Sequence, residues 1–116
     1  MLVSEIKQIL EAEFICGEDK ADSNVESACG SDMMSDVLAY VKDQGVLLTG
    51  LVNPQVIRTA EMMDMHVIVF VRGKMPDEDM IALAKSKNMA LLSTKMPMYI
   101  ACGKLYSAGL SGGARV

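Results

Sequence analysis

The chain has 116 residues, 51% of them hydrophobic and 22% charged, with a formal net charge of −4. That length holds one domain around a single core. The acidic balance argues against nucleic acid, whose binding draws on clustered Lys and Arg, and no apolar run approaches the roughly 18 residues of a membrane helix.

The first residues predict an amphipathic helix capped by Ser4, with Ile6, Ile9 and Leu10 on one face. The segment lacks the cationic head and cleavage site of a signal peptide, so a cytoplasmic location is expected. Glu13–Cys16 reads as a short strand that leaves through the polar run at 17–24, and Val25–Cys29 as a second. Gly30, Ser31 and Asp32 mark the next helix start, with Met33, Val37, Leu38 and Val41 as its apolar stripe and a turn at Gly45.

From Val46 the pattern sharpens. Val46–Leu51 is nearly all apolar, as in a strand covered on both faces. Asn53 is a good N-cap and Pro54 a good first helical residue, and Val56, Ile57, Ala60 and Met63 aim that helix at the sheet. His66–Val71 is the strongest strand. After Arg72-Gly73-Lys74 a helix begins at Pro76, with Asp77, Glu78 and Asp79 in its first turn and Lys85 and Lys87 in its last, an order that suits the helix dipole. Ala90–Ser93 is a third core strand, Met98–Tyr106 a terminal helix, and 111–116 a flexible tail. Strands alternating with helices through short connections predict a three-layer α/β/α sandwich with a mainly parallel sheet.

In such a sheet the strand ends lie on one edge. Thr49, Gly50, Asn53, Arg72, Gly73, Lys74, Thr94 and Lys95 are therefore candidates for a small anion site. Ordinary loop chemistry explains the same residues: glycine for backbone freedom, solvated lysine, threonine as a local cap. The acids at the start of the Pro76 helix compete with an anion, and no triphosphate-cradling loop is present.

Catalytic sets are thin. His66, the sole histidine, opens a buried-looking strand and reads as structural, and Cys102 has no second histidine to activate it. Asp32 and Asp36 fit helix capping, and Arg58 fits pairing with Glu61 or Asp64. Cys16, Cys29 and Cys102 are widely spaced, which disfavours a zinc site or a disulfide framework and suits free thiols in a reducing cytoplasm. Eleven methionines, Met96 and Met98 among them, fit core or interface packing better than soft-metal ligation. Neither a metal nor a cofactor is expected.

The run from Leu48 to Leu110, with the block GKMPDEDMIALAK at Gly73–Lys85, resembles the DRTGG domain family, and Ser31–Val41 fits its stand-alone branch. The signature run after the first core strand stands here as Gly50-Leu51-Val52-Asn53, without an Asp-Arg pair. Val71-Arg72-Gly73 replaces the Thr-Gly-Gly element, and Pro97-Met98-Tyr99 an Asp-Thr-Phe element. The resemblance implies a fold similar to the N-terminal domain of HPr kinase/phosphorylase, and a regulatory accessory role of the kind attached to CBS pairs. It also implies a protein partner from a redox or signalling gene cluster. The expected function is a non-catalytic regulatory or interaction module, homodimeric. The alternative is a sensor of a nucleotide or of a phosphorylated or acyl metabolite at the strand ends.

Overall fold

The computed structural model describes residues 1–39 and 45–112. In chain order these form α1 (Val3–Ile9), β1 (Glu13–Cys16), a 3-10 turn at Glu18–Lys20, β2 (Ser27–Gly30) and α2 (Met34–Ala39). There follow β3 (Gly45–Thr49), α3 (Pro54–Met62), β4 (Val67–Phe70), α4 (Glu78–Ser86), β5 (Ala90–Ser93) and α5 (Met98–Ser107). One sheet runs β1-β5-β4-β3-β2, with β2 to β5 mutually parallel and β1 antiparallel on the β5 edge.

Parallel neighbours joined in sequence order need a crossover each, and α2, α3 and α4 supply them. These three pack side by side on one face, while α1 and α5 meet on the other. The pleat then splits the apolar strands between two cores. Val46, Leu48, Val67, Val69, Ala90 and Leu92 face α1 and α5; Leu47, Ile68, Phe70 and Leu91 face α2 to α4. Each fully buried Leu, Ile or Phe contributes about 1.5–3 kcal/mol. The expected three-layer, mainly parallel sandwich is the fold.

Four helices end alike. After α1, α3, α4 and α5 a residue takes positive φ, namely Glu11, Asp64, Asn88 and Gly109. The next amide then reaches back to close the last turn: Ala12 to Lys7 O, Met65 to Ala60 O, Met89 to Ala84 O, Leu110 to Leu105 O. Each of those four next residues is buried, which completes a Schellman cap. Such caps account for every positive φ outside glycine, among the described residues, except that of Arg72.

Several boundaries differ from expectation. Ser4 lies inside α1, whose cap position is Leu2, with the Leu2 N–H held by the Glu5 carboxylate at 2.9 Å. Gly45 begins β3 instead of turning, because its backbone pairs with Ser27 of β2. α2 starts at Met34 and buries Met34 and Val37, leaving Met33 and Leu38 exposed; Val41 lies outside the described residues, as does the tail beyond 112. Pro76 precedes α4, which Asp77 caps by accepting the Met80 N–H at 2.9 Å. His66 is exposed and pairs with Asp64 at 2.9 Å, and Glu61 pairs with Lys87 at 3.2 Å. Both carboxylates expected for Arg58 are thus taken by other bases.

Candidate functional site

The parallel strands end on one edge, and the loop leaving β2 crosses it. The Ser31 N–H donates to Leu48 O at 3.0 Å, which carries Asp32 over the end of β3. Asp32 Oδ1 accepts the Gly50 N–H at 2.7 Å and the Thr49 hydroxyl at 3.2 Å, while Oδ2 lies 3.7 Å from Arg72 Nη2. A single carboxylate thereby links the ends of β2, β3 and β4. It stands outside the helix in which it was expected to cap α2 beside Asp36. Thr49 also accepts the Leu51 N–H at 3.1 Å, so its buried hydroxyl is fully engaged.

Val71 to Lys74 form a tight turn closed by Lys74 N–H to Val71 O at 3.1 Å. Arg72 and Gly73 have φ of 58° and 69°, two successive left-handed residues of the kind found in type I′ turns. Their amides donate to Met96 O at 2.9 Å and Thr94 O at 2.8 Å, so the turn is tied to the loop after β5. The Arg72 side chain folds back over Gly50, where a Cβ would collide with the guanidinium.

The other expected site residues lie elsewhere on this edge. Thr94 is buried, its hydroxyl donating to Leu10 O at 2.6 Å and accepting the Met96 N–H at 3.2 Å. Together with Gly73 and Lys95 it lines a cleft of about 490 Å³, into which Glu11 and Glu13 also face. Lys74 is exposed, its carbonyl accepting the Ser93 hydroxyl at 3.1 Å. Asn53 caps α3 by accepting the Gln55 N–H at 2.9 Å. The edge therefore divides into an Asp32–Thr49–Gly50–Arg72 cluster and a Gly73–Thr94–Lys95 cleft, with Asn53 committed to its helix. Among the described residues neither Lys74 nor Lys95 has a carboxylate within ion-pair distance.

On the opposite face a larger groove of about 930 Å³ runs along α5, bordered by Ile9, Ala28, Tyr99, Ile100 and Tyr106. Tyr99 and Tyr106 are 86% and 74% exposed. Cys102 packs closely on Gly30, where a Cβ would sit 2.5 Å from its Sγ. Burial, and then the neighbouring Cys29, push the Cys102 thiol above the usual cysteine range, and burial does the same to Cys16. Met96 and Met98 pack against the α1–α5 core. Among the described residues no three His, Cys, Asp or Glu side chains gather as a metal set.

Two parts of this surface escaped the spacing argument. Asp32 follows a strand with little β signal, so its position beside β3 was not legible. The α5 groove had a signal: Met98 to Leu105 is apolar around most of the helix, more than one buried face requires.

Comparison with known proteins agrees with this architecture. A solved structure of the CBS and DRTGG domains of the regulatory region of Clostridium perfringens pyrophosphatase, complexed with its activator diadenosine tetraphosphate, matches with a TM-score of 0.67 and 15% identity. The match covers 86% of this chain and 44% of that one, so the chain spans less than half that structure's length and the likeness is one of fold. No curated protein matches. The family model described as the DRTGG domain matches residues 5–105, and the chain belongs to the DRTGG domain family.

Proposed function

We propose that this chain is a non-catalytic regulatory module that acts by association, as a homodimer and with a protein partner of a redox or signalling system in the cytoplasm. The observation that carries this reading is the α5 face, where Tyr99, Ile100 and Tyr106 border an apolar groove instead of joining the core. Aromatic side chains of this kind are enriched at protein interfaces. The strand-end chemistry points the same way, since the Thr94 hydroxyl is consumed by structural bonds and Cys102 is held as a thiol. None of the described helices is long and apolar enough to cross a membrane. Light scattering is expected to give twice the 12.5 kDa chain mass at micromolar concentration. Tyr99→Ser with Tyr106→Ser should shift the protein to monomer. A wild type that stays monomeric at every concentration overturns the dimer.

A second reading, a sensor of a nucleotide or of a phosphorylated or acyl metabolite, is favoured by one observation. Arg72 keeps a left-handed backbone that arginine adopts only at a cost, and strain of this sort gathers at ligand sites. The pyrophosphatase regulatory region, of similar fold, is complexed with a nucleotide activator. Here the ligand would meet Thr49, Gly50 and Arg72, with Lys74 and Lys95 beyond. A nucleotide is then expected to raise the melting temperature, and Arg72→Ala with Lys74→Ala to remove the shift. A metabolite screen without any shift overturns this reading.

A further inference from the structure

We propose that Asp32 is a built-in competitor for an oxyanion site: its carboxylate occupies the place that a phosphoryl group would take against Gly50, Thr49 and Arg72. This rests on the sensing reading and adds how the site is controlled.

The donors around Asp32 are those that an anion at a strand end requires. They are a backbone N–H at 2.7 Å, a hydroxyl at 3.2 Å and a guanidinium at 3.7 Å, contributed by two adjacent strands. Two independent features of the chain maintain that set. Gly50 has no side chain, and a Cβ there would collide with the guanidinium, so the residue leaves Arg72 its path across the strand end. Arg72 holds φ at 58° in a turn that would be easier for glycine or asparagine, and no helix cap explains the strain. Gly50 leaves room for a guanidinium over the end of β3, and the turn, tied to Met96 O and Thr94 O, fixes the backbone from which it reaches.

The incumbent carboxylate is bonded closely to the Gly50 N–H but only weakly paired with the guanidinium, so Arg72 is the donor that a stronger anion can win. Asp32 and Arg72 are 47% and 46% exposed, and their 3.7 Å contact is long for a charge-assisted hydrogen bond. Such pairs contribute little, because water and salt screen them. A phosphoryl group carries about −1.5 to −2 charges near neutral pH and offers three acceptor oxygens. It would therefore outbid a monoanionic carboxylate for the same donors, whereas another simple carboxylate would gain nothing over Asp32. Asp32 also comes from the loop between β2 and α2. Its release by a ligand would remove that loop's side-chain links to Thr49, Gly50 and Arg72 and leave the Ser31–Leu48 backbone bond as its tie to β3, which gives binding a structural consequence.

The test is calorimetric titration of the full chain with inorganic pyrophosphate, with acetate as a second arm. Asp32→Ala is expected to tighten pyrophosphate binding about tenfold or more over wild type, as when a competing closed state is removed. Asp36→Ala, an equal change of charge on the exposed side of α2, should leave the affinity near wild type, and Arg72→Ala in the Asp32→Ala background should abolish the gain. Equal affinities of wild type and Asp32→Ala overturn the competitor while leaving sensing intact, and so does a gain of the same size from Asp36→Ala or one that survives Arg72→Ala. Acetate binding as tightly as pyrophosphate overturns the phosphoryl assignment. The Gly50 amide resonance of the wild-type chain gives a reading independent of any variant. It should move as pyrophosphate displaces Asp32, and an unmoved resonance at saturating pyrophosphate overturns the proposal. The sensing reading stands or falls separately, on the nucleotide screen of wild type.

Discussion

The Arg72 guanidinium lies across Gly50, in the space that a side chain on Gly50 would fill. The obstructing group is the far end of a flexible side chain, so Gly50→Ala should be tolerated at a cost of about 1–2 kcal/mol, with the arginine displaced. Deleting the arginine side chain removes the clash. Gly50→Ala should then lose most of its cost in an Arg72→Ala background, as urea denaturation of the four proteins in a double-mutant cycle would show. Equal costs in both backgrounds would mean that the two residues do not meet in solution.

At position 72 itself glycine should outperform alanine. A left-handed backbone costs an L-residue roughly 1–2 kcal/mol that glycine avoids, while the half-exposed pair with Asp32 contributes only about 0–1 kcal/mol. Arg72→Gly should thus be as stable as wild type or slightly more so, and Arg72→Ala slightly less. The usual preference is the reverse, because glycine's freer unfolded chain normally makes it the weaker choice. Denaturant midpoints for the two variants decide the order.

Much of this fold was legible in the chain because apolar strands covered on both faces leave an unbroken signal. Val46 to Thr49, Val67 to Phe70 and Ala90 to Ser93 all stand in the sheet, buried up to the half-buried Ser93, and Asn53-Pro54 opens α3 where capping chemistry puts it. β2 was harder to bound, since the segment expected as a strand, Val25–Cys29, contains Glu26 and Ser27 and has neither alternation nor an apolar run. That uncertainty carried over to the site. Without β2 beside β3, Asp32 reads as a helix-starting acid, and its bond to Gly50 has no counterpart in local spacing. Likewise Thr94 resembles a ligand-binding hydroxyl until α1 is docked, when Leu10 O becomes its partner across 84 residues.

That bond gives Thr94 a structural role that can be separated from sensing. Thr94→Val keeps the shape but leaves the Leu10 carbonyl and the Met96 N–H without their hydroxyl partner in a buried setting. A loss of about 1–3 kcal/mol is expected. The response of the melting temperature to nucleotide should survive, since the hydroxyl is already taken up by Leu10 O and the Met96 N–H. A variant of wild-type stability that no longer responds would reverse the assignment.

Gly17 should be among the least replaceable residues. It has φ of 81°, and a Cβ there would lie 2.5 Å from Ala90 Cα and 2.7 Å from Met89 O. Unlike the contact at Gly50, both obstacles are backbone and cannot swing away. Gly17→Ala combines a left-handed backbone with overpacking against β5, so a loss of more than about 2 kcal/mol is expected. A drop in melting temperature no larger than that of Gly50→Ala would show that β1 and β5 can part at this point.

The buried Cys16 and half-buried Cys102 thiols should weaken the fold at alkaline pH. Cys102 and Cys16 have thiol pKa values raised chiefly by burial, so the folded chain keeps protons that the unfolded chain releases. Where the native state binds more protons, stability falls as pH rises. The contribution is complete below the unfolded cysteine value of about 8.5 and is lost progressively between that value and the higher folded ones. Urea midpoints should therefore hold steady from pH 7 to about 8 and decline above about 9. Cys102→Ser should not flatten that decline completely, because Cys16 has the same dependence. Alkylation of both thiols in the native chain should be slower than that of a free cysteine at pH 8, since thiolate is the reacting form. Rapid labelling of Cys102 at that pH would show that α5 opens away from Gly30 and exposes the thiol.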